Sequence, residues 1–328
     1  MPYSADVIQR ARKQLADQKA EKESRYRQNL QQAYARIPRL QQIDIQLRNS
    51  MAKAARLAFE KGGDPQAMDR VRQENQALQA QYRDLVAENF APGFLEDTPV
   101  CSRCGGTGYL GSTMCDCLRR LCRQEQREQI AALTNGAERF EAFRLEYYPE
   151  QIDRNIGISP RLLMQKNLEA CRQYARDFCP GIGNLLFVGG TGLGKTFLSA
   201  CIANEVTDKG YSVAYESAPQ LFMKLEKNRF NPDEQSQRQA DTFSQVDLLI
   251  IDDLGTEMSG SFVTAALYAL LNERLLSGKS MIISTNLTIT EAAQRYSHQI
   301  ASRLQGSFRG VTFVGEDIRL LKSRGVRY

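Results

Sequence analysis

The stretch from Gly189 to Thr196 constrains the fold of this chain more than any other part of its sequence. It reads Gly-Gly-Thr-Gly-Leu-Gly-Lys-Thr, a full match to the phosphate-binding pattern G-x-x-x-x-G-K-S/T. An apolar run typical of a strand, residues 184–188, precedes it, and an Ala-rich helical pattern follows. A Gly-rich turn that arose by chance is the alternative, but strand, loop and helix stand in the order that the motif requires. The sequence therefore predicts a nucleoside triphosphate site in an α/β fold.

The residues of this loop are the candidate ATP ligands. Glycines let the backbone fold tightly enough to aim several N–H groups at phosphates, and the following helix adds its positive N-terminal end. We expect Lys195 to bridge the β- and γ-phosphates and the hydroxyl of Thr196 to hold magnesium. The candidates are Gly189, Gly190, Thr191, Gly192, Leu193, Gly194, Lys195 and Thr196.

A second apolar strand, residues 246–251, ends in two aspartates. Buried aliphatic residues that run into acids are typical of a strand whose tip enters a metal site. We expect Asp252 to orient magnesium through water and Asp253 to polarise the attacking water as general base. The side chain of Asp253 is one methylene shorter than that of a glutamate, so we expect slow hydrolysis. Glu257 is expected to be a surface or capping carboxylate.

Four cysteines in the pattern Cys101-x-x-Cys104 and Cys115-x-Cys117 predict a structural zinc site. Thiolates at such short spacing can close a tetrahedral zinc site, and four of them leave no open coordination position for catalysis. Cys122 could replace Cys117 as the fourth ligand. A redox pair and an iron–sulfur cluster are the alternatives, and neither has supporting context nearby.

The two ends of the chain differ in their hydrophobic pattern. Residues 1–90 are rich in helix-forming residues, and breaks at Pro38 and at residues 61–65 divide them into three predicted helices. From about residue 160, apolar runs alternate with amphipathic helices, which predicts a parallel sheet with helical crossovers. The predicted strands span residues 184–188, 212–215, 247–251, 280–284 and 311–314.

Composition excludes a membrane protein and a strongly basic one. The hydrophobic fraction of 42% and charged fraction of 25% are ordinary for a soluble globular protein. No apolar run is long enough to span a bilayer and no secretory signal is evident, so we expect a cytoplasmic protein with reduced thiols. The formal net charge of +5 is modest, so a nucleic-acid site would be a local patch.

Taken together, these residues resemble the DnaC/DnaI-type bacterial helicase loaders, AAA+ ATPases related to the replication initiator and to the IstB-type transposition ATPases. The cysteine cluster strengthens the match to loaders from Gram-positive bacteria and their phages. The resemblance rests on the loop around Lys195, Asp-Asp-Leu-Gly at 252–255, Ser-Thr-Asn at 284–286, Ser-Arg-Leu at 302–304 and Gly-Glu-Asp-Ile-Arg at 315–319.

The resemblance implies three further residues around the nucleotide. Asn286 would reach the γ-phosphate and the attacking water, although a turn-forming asparagine is the alternative. Arg303, with Arg309 as the second candidate, would project into the site of a neighbouring subunit, and a surface salt bridge is the alternative for either. Arg319 falls where the family has a second nucleotide-sensing arginine.

The resemblance also implies a DNA-binding helix. Residues 219–229 match an inserted helix that relatives use to contact single strands, and Phe222, Lys224 and Lys227 are the candidate contacts. An ordinary crossover helix packed on the sheet explains the same pattern equally well.

The expected organisation has four parts: a helical N-terminal region at 1–95 that binds the helicase, a zinc module at 96–125, a linker at 126–160 and an AAA+ ATPase domain at 161–328. The implied function is ATP-dependent loading of the replicative DNA helicase, with ATP, Mg²⁺ and Zn²⁺ as cofactors and single-stranded DNA, the helicase and further copies of the chain as partners. The alternatives are an IstB-type transposition helper ATPase and a zinc-bearing replication adaptor with weak ATPase.

Overall fold

The structure is a computed structural model that describes residues 3–323, except residues 60–64, 135, 137, 155, 231 and 232. The chain forms two compact units, Lys13–Cys115 and Met1–Arg12 with Asp116–Tyr328. The first boundary falls inside the first helix, and the second falls within the run of clustered cysteines. The four functional segments expected from the sequence remain a prediction.

The first unit is mainly helical, as the sequence predicts. Pro38 and Pro65 each occupy the first position of a helix. The N–H at this position has no partner within the helix, so the missing N–H of proline costs no hydrogen bond. Of the break predicted at residues 61–65, residues 61–64 lie outside the described residues, and Pro65 begins the third helix. The elements are α1 (Ala5–Arg36), α2 (Pro38–Phe59) and α3 (Pro65–Asn89), followed by the short antiparallel strands β1 (Tyr109–Leu110) and β2 (Thr113–Met114).

The second unit contains a five-stranded parallel sheet in the order β4-β5-β6-β3-β7, which confirms the predicted α/β class. Because β6 lies between β3 and β5, the ends of the strands that carry the loop, the acids and Asn286 meet at one edge of the sheet. The strands are β3 (Asn184–Val188), β4 (Val213–Ser217), β5 (Leu248–Leu254), β6 (Ser280–Thr285) and β7 (Phe308–Thr312).

Helices cover both faces of the sheet, and consecutive strand residues pack on opposite sides. Leu185 and Phe187 belong to one core cluster and Leu186 to the other. The helices are α4 (Asp116–Leu133), α5 (Pro160–Arg176), α6 (Lys195–Asp208), α7 (Ala218–Phe230), α8 (Glu234–Gln245), α9 (Ser261–Leu276), α10 (Ile289–Arg295), α11 (His298–Ser307) and α12 (Ile318–Ser323). Within the described ranges, no helix has the length and apolarity needed to cross a membrane.

The last strand differs from its prediction. It begins at Phe308, three residues before the predicted start, and it ends at Thr312. Arg309 and Gly310 look unlike strand residues, but β7 pairs with β3 along the whole of that strand, from Asn184 opposite Phe308 onward. The partner strand therefore sets the position of β7.

Candidate nucleotide and metal sites

The loop between β3 and α6 has a backbone that only glycine adopts without strain at several positions. Gly189, Gly192 and Gly194 have φ values of 156°, 71° and 93°. A Cβ on Gly189 would lie 2.5 Å from the carbonyl oxygen of Phe313, and one on Gly192 would overlap the carboxylate of Asp317. The glycines of the motif thus also permit close packing of the segment that follows β7.

Lys195 is buried at the first turn of α6, with 4% of its surface exposed. Its Nζ donates hydrogen bonds to the carbonyl oxygens of Gly189 at 2.7 Å and Gly190 at 2.6 Å. Burial lowers the pKa of Lys195, while Asp253 and Asp252 act in the opposite direction. The ammonium group therefore lies within the loop and near the acid pair, as a triphosphate site requires.

The two aspartates point in different directions because β5 is irregular where they occur. The register with β6 shifts between Ile251 and Leu254, and Asp253 has a left-handed φ of 54°. Asp252 is 6% exposed, whereas Asp253 is exposed and lines the same cavity as the loop. Desolvation, followed by the charge of Asp252, raises the pKa of Asp253. A raised pKa makes this carboxylate a better proton acceptor.

Asp252 and Thr196 are the candidate magnesium ligands. Thr196 lines the cavity at the first turn of α6. The hydroxyl of Tyr215 lies 3.0 Å from Oδ2 of Asp252 and 3.5 Å from the backbone carbonyl oxygen of Thr196, which places Asp252 beside this turn. Hydroxyl and carboxylate oxygens are the ligands that Mg²⁺ prefers. These two residues would hold the ion beside the phosphate loop.

A cavity of about 480 Å³ lies against the loop, a size that suits a small-molecule site. Its wall includes Asp253 and the predicted sensing residue Arg319. Ile318 also contributes to the wall, and its N–H donates to the carbonyl oxygen of Gly192 at 3.1 Å. The cavity therefore joins the phosphate loop, one carboxylate and the segment after β7.

Aromatic residues of the predicted linker complete this cavity, and sequence reasoning missed them. Tyr148 is fully buried, and its hydroxyl donates to the carbonyl oxygen of Leu193 at 2.9 Å. Its ring stacks on Phe143 at 5.7 Å, and burial raises the pKa of Tyr148. A cluster of four aromatic residues between positions 140 and 148 was the available signal.

The structure places Asn286 and Arg303 differently with respect to the cavity. Asn286 is exposed directly after β6, at the edge of the sheet where the loop lies. Arg303 donates to Oδ1 of Asn272 at 2.6 Å and to the hydroxyl of Tyr268 at 3.0 Å, with its guanidinium 4.4 Å from the Tyr268 ring centroid. Neither Arg303 nor Arg309 forms a salt bridge with any carboxylate that the structure describes, and Arg303 is not among the residues that line this chain's own cavity.

Of the two roles expected for Glu257, a surface carboxylate or a capping carboxylate, the structure excludes the first and supports the second. Only 5% of Glu257 is exposed. Its carboxylate accepts hydrogen bonds from the hydroxyl of Tyr296, from Nε of Arg295 at 3.4 Å and from the N–H of Gly255 at 2.9 Å. Glu257 therefore holds the loop after the acid pair against α10.

The predicted DNA-binding helix is α7, and one of its three candidate residues is excluded. Phe222 is 3% exposed in the core, so its ring cannot stack on a base. Lys224 forms an ion pair with Glu216, whereas Lys227 is exposed. The exposed aromatic residue of this helix is Phe230 at 67%, which was not predicted.

The cysteine cluster forms as predicted. The Sγ atoms of Cys101, Cys104, Cys115 and Cys117 lie within 4.8 Å of one another. The distance between Cys101 and Cys115 is 3.8 Å, and tetrahedral zinc with Zn–S bonds of about 2.3 Å needs sulfur atoms roughly 3.8 Å apart. Gly108 donates its N–H to Sγ of Cys104 at 3.3 Å, a contact that stabilises a thiolate.

Cys122 is not part of this cluster. It is fully buried on α4, and desolvation, followed by Glu125, raises the pKa of its thiol to about 11. A thiol with a raised pKa is a poor metal ligand because the thiolate is the binding form. Cys117 is therefore the better fourth ligand.

We expect about one zinc ion per chain, and Cys104→Ser should remove it. Cys122→Ser is the matched control, since it removes a buried thiol outside the cluster and should leave the metal content unchanged. Elemental analysis of the purified proteins measures both. Equal zinc content in the Cys104→Ser variant and the wild-type chain would contradict this assignment.

Comparison with known proteins confirms the resemblance that the motifs predicted. Residues 150–304 match the family of IstB-like ATP-binding proteins. The replicative helicase loader DnaC of Escherichia coli K12 is 25% identical over 138 residues, which cover 42% of this chain and 56% of the loader. A putative insertion sequence ATP-binding protein of Sinorhizobium fredii is 27% identical over 188 residues, covering 55% of this chain and 73% of that protein. The crystal structure of the DnaC helicase loader is 19% identical, covers 54% of this chain and 97% of that one, and superposes with a TM-score of 0.46.

The match has a limited extent. This chain spans about half the length of the DnaC loader that it matches, 56% of it. The residues matched by the family model, 150–304, include the loop and the acid pair.

Proposed function

We propose that this chain, with an ATP-binding region similar to those of DnaC-type loaders, is an ATPase that loads a replicative DNA helicase onto single-stranded DNA. The observation that carries the proposal is the joint placement of Lys195 and Asp253 around one cavity, in a region similar to these loaders. A bound triphosphate would bring its γ-phosphate between a cation and a general base, which is the arrangement that hydrolysis requires.

The residues divide the work of hydrolysis as follows. The backbone N–H groups of residues 190–196 bind the phosphates, and Lys195 moves from the loop carbonyls to the β- and γ-oxygens. Thr196 and Asp252 would hold magnesium, which would neutralise phosphate charge when bound. Asp253 accepts the proton of the attacking water, and Asn286 orients that water. The short side chain of Asp253 makes this step slow.

Arg303 acts across an interface between copies of the chain. It lies outside the cavity of its own subunit, and its contacts with Asn272 and Tyr268 hold the guanidinium on the surface of α9 and α11. These contacts involve neutral groups, so its positive charge remains available to a phosphate of a neighbouring site. Hydrolysis would then depend on assembly.

The DNA interface of the proposal lies at the end of α7. Lys227 and Arg229 are exposed, and the guanidinium of Arg229 lies 5.7 Å from the ring centroid of Phe230 and 5.5 Å from that of Phe262. An exposed aromatic ring beside two cations suits base stacking and phosphate contact. Phe230 thus replaces Phe222 as the proposed stacking residue.

A transposition helper ATPase is the second candidate function. The similarity of residues 150–304 to IstB-like proteins and the Sinorhizobium relative favour it. Helices α1 to α3 lie outside the matched residues 150–304 and offer a separate surface for a helicase, which favours the loader.

The test is a loading assay with the full chain, the replicative helicase of the same cell and circular single-stranded DNA. We expect a complex with the helicase and ATP-dependent transfer of the helicase to the circle. A variant with Lys227→Ala, Arg229→Ala and Phe230→Ala should bind the helicase but load it at least about tenfold less efficiently, because stacking and phosphate contacts are lost. Lys166→Ala removes an exposed lysine of α5 and should load normally.

The two candidate functions predict different outcomes of this assay. Absence of a complex at micromolar concentrations would contradict the loader. Unchanged loading by the α7 variant would contradict the DNA interface alone.

A further inference from the structure

Two buried hydroxyl groups bind Asp252 from the strands on either side of β5. Tyr215 on β4 donates to Oδ2 at 3.0 Å, and Ser284 on β6 donates to Oδ1. Tyr215 is 6% exposed and Ser284 is fully buried. Both oxygens of the carboxylate therefore have a donor that is fixed by a neighbouring strand, and the carboxylate has little freedom to rotate.

Ser284 also contacts the second acid. The N–H of Asp253 donates to Oγ of Ser284 at 2.8 Å, while the Ser284 hydroxyl proton goes to Asp252. One serine thus uses its donor for one aspartate and its acceptor for the backbone of the next. This contact lies at the irregular step of β5, where Asp253 has a left-handed φ of 54°.

Ser284 lies on β6, the strand between β3 and β5, and Asn286 follows directly after the end of this strand, two positions from Ser284. A displacement of the end of β6 would consequently move Ser284 together with Asn286. Because Ser284 contacts both acids, such a displacement would also change the position of Asp252 and Asp253.

We propose that Tyr215 and Ser284 are positioning residues that orient Asp252 toward the bound metal, and that Ser284 links the γ-phosphate contact at Asn286 to both acids. The inference rests on the proposed ATPase function and adds two residues to its machinery. Neither residue lines the nucleotide cavity. Both act through the carboxylate of Asp252.

The test compares Tyr215→Phe and Ser284→Ala with the wild-type chain and with Tyr174→Phe. Tyr174 is the matched control, because its buried hydroxyl donates to the carbonyl oxygen of Gly183 at 2.9 Å, outside the nucleotide cavity. Affinity for a fluorescent ADP is measured without Mg²⁺ and over a Mg²⁺ titration, which gives a readout other than turnover. Thermal unfolding reports the fold.

Both variants should bind ADP normally in the absence of Mg²⁺. The Mg²⁺ concentration that gives half of the full change in ADP affinity should rise about 10- to 100-fold, with a comparable loss of turnover. Tyr174→Phe should have the wild-type requirement. Ser284→Thr keeps the hydroxyl and should restore most of the wild-type Mg²⁺ response.

Two results would overturn the inference, and they differ from each other. A wild-type Mg²⁺ requirement in folded Tyr215→Phe and Ser284→Ala would show that the hydroxyls only stabilise the fold. Absence of Mg²⁺-dependent ADP binding in the wild-type chain would overturn the proposed ATPase function, and this inference with it.

Discussion

Lys195→Ala is expected to abolish ATP binding, with an affinity loss of at least about 100-fold. The ammonium group lies inside the loop, 2.7 Å and 2.6 Å from two of its carbonyl oxygens, so it needs only a short movement to meet the β- and γ-phosphates. Loss of charge-assisted hydrogen bonds to a phosphate costs about 3 kcal/mol, which corresponds to roughly two orders of magnitude in affinity. Equilibrium titration with a fluorescent ATP analogue measures the effect.

The matched control for Lys195 is a lysine that also donates to backbone carbonyl oxygens but lies outside the phosphate loop. Lys209 donates to the carbonyl oxygens of Ala175 and Arg176, outside the cavity. Lys209→Ala should therefore bind ATP like the wild-type chain. Retained affinity in Lys195→Ala would show that the phosphates bind elsewhere.

Asp253→Asn is expected to reduce hydrolysis by about 10²- to 10⁴-fold while ATP still binds. Asparagine keeps the size of the side chain but cannot accept the proton of the attacking water. Since Asp253 is exposed to the cavity and Asp252 is buried, the change removes the base and leaves the buried acid in place. Single-turnover hydrolysis and the ATP titration separate the two effects.

The pH dependence of hydrolysis gives a second readout of Asp253. Desolvation raises the pKa of Asp253. As the pH falls, Asp253 therefore becomes protonated, and hydrolysis is lost, at a higher pH than for an ordinary carboxyl. Asp208→Asn, which changes an exposed acid paired with Arg127, should leave rate and pH profile unchanged. A wild-type rate in Asp253→Asn would assign the base to another residue.

The nucleotide loop and the acid pair were predictable because their chemistry depends on residues close in sequence. Gly192 and Lys195 act through a local backbone conformation, and an apolar strand that ends in Asp252 can be recognised in a single segment. The alternation of apolar strands and amphipathic helices likewise predicted the class of the fold.

Residues whose role depends on distant segments could not be predicted in the same way. Tyr148 meets Leu193, and Tyr215 meets Asp252, only after the sheet and the linker have folded together. The same applies to Arg274, a fully buried arginine whose guanidinium donates to backbone carbonyl oxygens near the start of β5 and to that of Ser280. Such contacts have no local sequence signal.

The error at Phe222 has a simpler cause. The pattern of aromatic and basic residues in α7 fits both a DNA-contacting helix and a helix packed on the sheet, and the two interpretations assign opposite directions to the same ring. The structure buries Phe222 and exposes Phe230, so α7 packs on the sheet and still leaves an aromatic ring beside Arg229 at its end.

The measurement that tests the central claim most directly is a crystal structure of the chain with Mg²⁺ and a non-hydrolysable ATP analogue. We predict phosphates on the N–H groups of residues 190–196, Lys195 on the β- and γ-oxygens and the γ-phosphate facing Asp253. An analogue bound at another place, or a cavity that remains filled by the side chains of Lys195 and Asp253 at saturating analogue, would contradict the account.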